Sequence, residues 1–338
     1  MQYSISLIIP ISKTDDALKQ CLKSVRQCSP SPREIILVID GDTGQILPQI
    51  ETAHVKIVRL PESGGPARAR NKGAKEASGD ILLFIDADVI VPHDICTRIT
   101  KAFATETKPD AVFGSYDDKP SEQDTVSQYK NLLHHFTHQN SQTNAFTFWT
   151  GCGAILRSRF IELEGFSEEY LHPSIEDIEL GYRLKYKGGT ILLDKTIQVT
   201  HLKKWGLINL LQTDFLMRAF PWSKLILKYG TINNDMNINL SSRISVVLSW
   251  LLLMSLPLTF LSPFFVLPSA LFFFLVLIQN RKILQYFNKT KGLLFTLKII
   301  PLHILYFLIS GLAFSMSLLA HIARRIGSPK DRRLHKGI

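Results

Sequence analysis

The segment Asp80-Ile81-Leu82-Leu83-Phe84-Ile85-Asp86-Ala87-Asp88 delivers two carboxylates, one residue apart, at the exit of a continuous apolar run. Hard carboxylate oxygens suit Mg2+ or Mn2+, which proteins hold through one or two carboxylates while substrate phosphates complete the shell. An acidic triplet by itself can equally cap the following turn or helix, so the residues around it decide. Upstream lies Pro61-Glu62-Ser63-Gly64-Gly65-Pro66-Ala67-Arg68-Ala69-Arg70-Asn71-Lys72-Gly73. Its glycines permit close backbone approach and its helix start favours an anion. Arg68 and Arg70 can reach a diphosphate or a base. Downstream, Trp149-Thr150-Gly151-Cys152-Gly153-Ala154-Ile155-Leu156-Arg157 places two glycines in a strand-like stretch, which suggests close approach by a ligand. Glu176-Asp177 opens a helix with adjacent carboxylates, of which one can act as general base toward a hydroxyl, although acids also favour a helix start on their own. His201, after the strand-like Ile197-Gln198-Val199-Thr200, can complete a metal site or contact phosphate.

These groups need a scaffold, and the first 115 residues supply an alternation of strand and helix signals. Strands are predicted at Ser4–Ile9 (stopped by Pro10), Glu34–Ile39, Val55–Leu60, Ile81–Ile85 and Ala111–Gly114, and helices at Asp15–Gln27 and Pro66–Ala77. Continuously apolar strands separated by helices predict a doubly wound, mainly parallel α/β sheet. Ligands of such sheets bind outside the carboxyl ends of the strands, so Asp40 and Asp86 should share one crevice. Residues 116–148 are polar and partly helical. His134, His135 and His138 lack a carboxylate or cysteine at ligand spacing, so a solvated helix face or lid is the favoured reading over a metal site. Cys21, Cys28, Cys96 and Cys152 show no C-x-x-C spacing and read as small buried apolar residues.

Hydropathy divides the chain at about residue 242. From Ile244 to Ile278 almost nothing is charged, which is about 52 Å of helix against a hydrocarbon core of about 30 Å. Pro257, Pro263 and Pro268 offer breaks, so a two-pass hairpin is expected, with a third pass from Ile300 to Ala320. Arg281 to Lys291 reads as a basic amphipathic surface segment, and 324–338 as a basic tail. Residues 281–338 hold 11 Lys/Arg and a single acid, Asp331, which equals the net charge of +10 of the whole chain. The catalytic part, residues 1–242, is therefore close to neutral, and the basic charge beside apolar segments argues for anionic lipid rather than nucleic acid. Tyr3 to Ile9 is too short for a signal peptide and has no basic flank. The expected location is the cytoplasmic membrane, multi-pass, with the catalytic domain on the cytoplasmic side.

The order Ile8-Ile9-Pro10, Val38-Ile39-Asp40-Gly41-Asp42, Gly64 to Asn71, Asp86-Ala87-Asp88, Gly151-Cys152-Gly153-Ala154, Glu176-Asp177 resembles the family 2 glycosyltransferases, over roughly residues 4–205. The resemblance implies a GT-A fold and transfer of a sugar from a nucleoside-diphosphate sugar to a hydroxyl of a lipid or glycan acceptor, metal-dependent and inverting. It further implies that Pro10, Asp40, Asp42, Gly65, Arg68, Arg70, Asn71, Asp86 and Gly153 bind the nucleotide sugar. Asp86, Asp88 and His201 would hold Mg2+ or Mn2+, Asp177 with Glu176 would be catalytic, and Trp149, Arg218 and Trp222 would meet the acceptor. The usual D-G-S-T-D is Asp40-Gly41-Asp42-Thr43-Gly44 here. The Q-x-x-R-W of processive members is replaced by Gln212 followed by Arg218-Ala219-Phe220-Pro221-Trp222 at a different spacing, which argues against repeated polymerisation. A sugar-phosphate nucleotidyltransferase shares the sheet but needs a G-x-G-T-R-L-type loop, which Pro10-Ile11-Ser12-Lys13 is not. A catalytically inactive scaffold would have no use for two intact acidic pairs.

Overall fold

A computed structural model describes residues 3–41 and 54–327. The chain forms two compact units, Met1–Trp205 and Gly206–Ile338, so the polar residues 206–239 group with the apolar helices. Asp42 lies outside the described residues, as does most of the basic tail.

The first unit runs β1 (Ile5–Ile11), α1 (Asp16–Arg26), β2 (Glu34–Asp40), β3 (Val55–Leu60), α2 (Gly65–Glu76), β4 (Ile81–Ile85), β5 (Val89–Ile90), α3 (Ile95–Phe103), β6 (Ala111–Tyr116), α4 (Thr125–Asn140), β7 (Cys152–Leu156), α5 (Arg157–Glu162), α6 (Glu176–Tyr186) and β8 (Ile191–His201). The eight strands make one sheet in the order β3-β2-β1-β4-β7-β6-β8-β5. The β3-β2-β1-β4 half is parallel throughout. The sheet is mixed beyond it, because β7 is antiparallel to both β4 and β6 while β6 and β8 are again parallel. The central strands are apolar on both faces, with Leu7, Ile8, Ile9, Ile36, Leu37, Leu82 and Leu83 fully buried, as a sheet covered on both sides requires. Pro10 does not end β1. It pairs with Val38 on β2, and the pairing with β4 stops at Ile8 and Phe84, so the missing N–H of Pro10 has no ladder partner to lose.

Two local features bring the carboxyl edge into shape. Gly73 lets α2 lie directly on the sheet, since a Cβ there would come 2.6 Å from Ile8 Cγ2 and 3.0 Å from Val38 Cγ2. The short β5, immediately after Asp88, pairs antiparallel with the end of β8, setting Val89 opposite His201.

The second unit contains α7 (Leu207–Gln212), a π-helical turn at Thr213–Ala219, α8 (Phe220–Tyr229), α9 (Leu240–Ser255), α10 (Val266–Gln279), α11 (Arg281–Lys291) and α12 (Leu293–Gly327). By length and composition, Leu240–Phe260 and Leu293–Arg324 can each cross a membrane, and Pro263–Gln279 with Arg281–Lys291 forms a third candidate bent by 68°. The break falls at Pro257 and Pro263, which open 3-10 turns, whereas Pro268 sits in the first turn of α10, where its lack of an N–H costs nothing. In this unit polar side chains share the interior with apolar ones, and large apolar side chains lie on its surface. Asn280 Nδ2 donates to Ser245 Oγ at 2.9 Å, Asn280 Oδ1 lies 3.2 Å from His303 Nε2, and Ser269 Oγ donates to Ser255 Oγ at 2.9 Å. Phe260, Leu261 and Phe264 are 93%, 79% and 78% exposed, an arrangement suited to lipid and not to water.

Gly73→Leu tests the packing of α2. Overfilling this contact is expected to cost about 1–3 kcal/mol, read as a fall of several degrees in the thermal midpoint of the full chain in detergent.

Candidate active site

The site is built on the carboxyl edge of the parallel half-sheet. Asp40 ends β2 and is buried; its carboxylate accepts the Gly64 N–H at 2.7 Å, the Gly65 N–H at 2.9 Å and the Ser63 hydroxyl at 3.1 Å. It thereby fixes the turn that starts α2. Gly65 is required there: its φ is +84°, and a Cβ would lie 2.3 Å from the Leu171 carbonyl oxygen.

Two side chains of α2 then point in different directions. Arg68, half-buried beside Gly64, makes no hydrogen bond or ion pair with the described residues. Arg70 is 5% exposed and forks between two acids, with Nη2 2.7 Å from Asp86 Oδ1 and Nη1 2.8 Å from Glu176 Oε1. Burial opposes its charge, but Asp86, Glu176 and Asp177 together hold the guanidinium firmly protonated. Asn71 is a clamp: its amide donates to the Phe166 carbonyl and to Glu168, and its oxygen accepts the Phe166 N–H, each at 2.9 Å. Pro10, half-buried, stands at the same edge of β1.

Asp86 and Asp88 follow β4, with Asp86 turned to Arg70. Asp88 is 34% exposed and its Oδ2 is 3.4 Å from His201 Nε2. Burial disfavours its ionised form, yet His201 and Lys203 outweigh that and hold its carboxyl below the usual range. The His201 ring is buried and stacked on Tyr116, centroids 4.2 Å apart at 8°. Among the described residues no three His, Cys, Asp or Glu side chains converge on one point. Asp88 and His201 do converge, and one carboxylate with one imidazole is a donor pair that fits a divalent ion whose remaining positions are filled by phosphate and water.

The acidic pair divides its work. Glu176 is buried and its second oxygen accepts the Ser174 N–H at 2.9 Å. Asp177 accepts the Thr150 N–H at 3.1 Å, the Thr150 hydroxyl at 3.2 Å and the Ile178 N–H at 2.8 Å. Desolvation and the neighbouring Glu176 charge raise its carboxyl to about 6, against the opposing pull of Arg70 and the two backbone N–H groups.

The sequence reading of two motifs changes in detail. The glycines at 151 and 153 make room for Trp149 itself, because a Cβ at Gly151 would lie 2.2 Å from its ring and one at Gly153 2.2 Å from its carbonyl oxygen. The histidine-bearing helix is not a solvated lid. His135 Nδ1 bonds the Tyr116 carbonyl at 2.7 Å and His138 Nδ1 the Gly114 carbonyl at 3.0 Å, and both are buried under α4. Trp149 is half-buried between Tyr116, His134 and His138, at 4.7, 5.1 and 5.2 Å. Arg218, half-buried on the π-helical turn, and Trp222, buried on α8, belong to the second unit. Two residues went unassigned from sequence: Thr150, which lies inside the quoted glycine segment, and Tyr116, which carries no local signal.

Residues 6–163 match the family described as Glycosyl transferase family 2. The chain is 30% identical over 121 residues to glycosyltransferase GlyG of Streptococcus pneumoniae serotype 4 (strain ATCC BAA-334 / TIGR4), covering 34% of this chain and 40% of that protein. It is 34% identical over 118 residues to a poly(ribitol-phosphate) beta-glucosyltransferase of Bacillus spizizenii (strain ATCC 23059 / NRRL B-14472 / W23), covering 32% and 18%. In structure it is similar to mannosyltransferase PcManGT from Pyrobaculum calidifontis in complex with GDP-Man and Mn2+, with a TM-score of 0.53, 14% identity, and 96% and 88% of the two chains covered. That likeness concerns the fold. The chain spans 40%, 31% and 33% of the length of the first curated relatives it matches.

Arg70→Gln leaves Glu176 buried without its counter-charge, and losing one partner of a buried pair typically costs about 3–5 kcal/mol. A matching loss of thermal stability is expected. Arg70→Lys is expected to recover little of it, since a point charge cannot fork between two carboxylates.

Proposed function

We propose that the chain, whose residues 6–163 match glycosyltransferase family 2, transfers a glycosyl unit from a nucleoside-diphosphate sugar to a hydroxyl of a lipid or lipid-linked glycan, with inversion. The observation that carries the mechanism is the environment of Asp177. It is a carboxylate tuned to about 6, held by Thr150 and Ile178 and backed by a neighbour whose charge is already neutralised by Arg70. A base works best with a pKa near the operating pH.

On this reading Asp177 takes the acceptor's proton as the acceptor oxygen forms its bond to the anomeric carbon. The carbon–oxygen bond to the diphosphate breaks on the opposite face. The glycine turn latched by Asp40, the first turn of α2 and Arg68 meet the nucleotide and its phosphates, and Arg70 keeps Asp86 and Glu176 from repelling them. Asp88 and His201 would hold Mg2+ or Mn2+, which when bound neutralises charge on the diphosphate. The apolar helices of the second unit support membrane attachment and a lipidic acceptor; on this reading the catalytic domain faces the cytoplasm. Trp149 is an aromatic surface of the first unit that suits an acceptor sugar.

The test is a panel of nucleoside-diphosphate sugars with Mn2+ and membrane lipid extract, scored by released nucleoside diphosphate. One donor is expected to turn over. Asp177→Asn is expected to bind that donor with near-normal affinity and to lose about 10²–10⁴ in rate, while Glu176→Gln keeps more activity. Because the base works ionised and its carboxyl sits at about 6, kcat/KM should fall as pH drops through about 6. A flat profile there, or full activity in Asp177→Asn, refutes the assignment.

A further inference from the structure

Immediately after β8, residues 201–205 form a strap fixed at both ends. At its start His201 pairs with Val89, and the Leu202 N–H donates to the Asp88 carbonyl at 2.9 Å. At its end the Trp205 N–H donates to Ser127 Oγ on α4 at 2.8 Å, and the indole is buried. Lys203 and Lys204 are both exposed between these anchors. Lys203 Nζ stands 4.2 Å from the Trp205 ring centroid, with Lys130 at 5.9 Å from the same ring. Lys203 follows directly on the residue whose N–H bonds Asp88, whereas Lys204 directly precedes the buried Trp205.

The acidic edge creates a problem that the strap can solve. Asp86, Asp88, Glu176 and Asp177 gather where a diphosphate has to arrive, and Arg70 is committed to two of them. An ammonium on a flexible stem is suited to phosphate as a point charge, and the indole under it limits where that stem can go.

We propose that Lys203 is a leaving-group contact, its ammonium taking up the negative charge that develops on the donor's diphosphate. The assignment rests on the reading above that the chain turns over a nucleoside-diphosphate sugar. In the step, the bond from the anomeric carbon to the diphosphate oxygen breaks and its electron pair stays on the diphosphate. The acceptor oxygen makes the new bond and its proton goes to Asp177. Lys203 keeps its own proton and donates a charged hydrogen bond. Lys204 takes no part.

The experiment is calorimetric titration of the full-length chain in detergent with UDP, GDP, ADP, dTDP and CDP, and with the monophosphate of whichever binds best. Lys203→Gln is expected to lose about tenfold in affinity for the diphosphate while its affinity for the monophosphate changes less than twofold. Lys203→Arg keeps most of the diphosphate affinity, Lys204→Gln keeps all of it, and the thermal midpoints are unchanged. Unchanged diphosphate affinity in Lys203→Gln overturns the assignment and leaves the glycosyltransferase reading standing. An equal loss for diphosphate and monophosphate also overturns it, because the lysine then shapes the strap and does not read the phosphate. If the wild type binds none of the diphosphates, the functional reading itself falls and this assignment falls with it.

Discussion

The buried fork of Arg70 is the constraint on which the rest of the site depends. One guanidinium takes Asp86 from the end of β4 and Glu176 from the start of α6, segments separated by 90 residues of chain. Buried ion pairs add little net stability, since desolvation offsets most of their attraction. What this one does is fix geometry. It sets α2 against both acidic motifs, and it removes one negative charge from the pair at 176–177. On the proposed reading Asp177 is then the carboxylate of that pair that acts as base, and burial together with its neighbour raises its carboxyl to about 6.

The other contacts extend the same logic. Asp40 orders the glycine turn from which α2 starts. Asn71 and the Glu179–Arg183 pair hold the loop between α5 and α6 from two sides, through Phe166 and through the Leu163 and Gly165 carbonyls. Pairing of β5 with β8 carries His201 to Asp88. Several residues singled out as ligand contacts therefore spend hydrogen-bonding capacity on the scaffold. On the proposed reading, the site keeps its geometry in this way while Arg68, Asp88 and Trp149 meet the ligand.

Much of this was legible in the sequence because it is local. The apolar runs of β1 to β4, the capped α1 and the glycine-proline start of α2 are decided within a few residues of themselves, and the acidic motifs follow their strands directly. What was not legible depends on partners distant in the chain. Nothing local marks β7 as antiparallel, because strand direction is set by the connection through α4. Pro10 reads as a stop until the end of β4 pairing at Ile8 is known. The histidines of α4 look like a polar face until the β6 carbonyls they bond are seen. Glycines 151 and 153 look like a ligand cradle until Trp149 is found in the space. The division at Trp205 escaped hydropathy because residues 206–239 mix polar and apolar side chains as a soluble segment does.

The proposed reaction is a single displacement in which Asp177 acts as the base and Glu176 is held by Arg70. Its most direct test is proton NMR of the first product formed from the donor that turns over, using the one-bond coupling of the new anomeric proton. An anomeric configuration opposite to that of the donor is expected from the earliest time point. A product that keeps the donor's configuration would contradict the account.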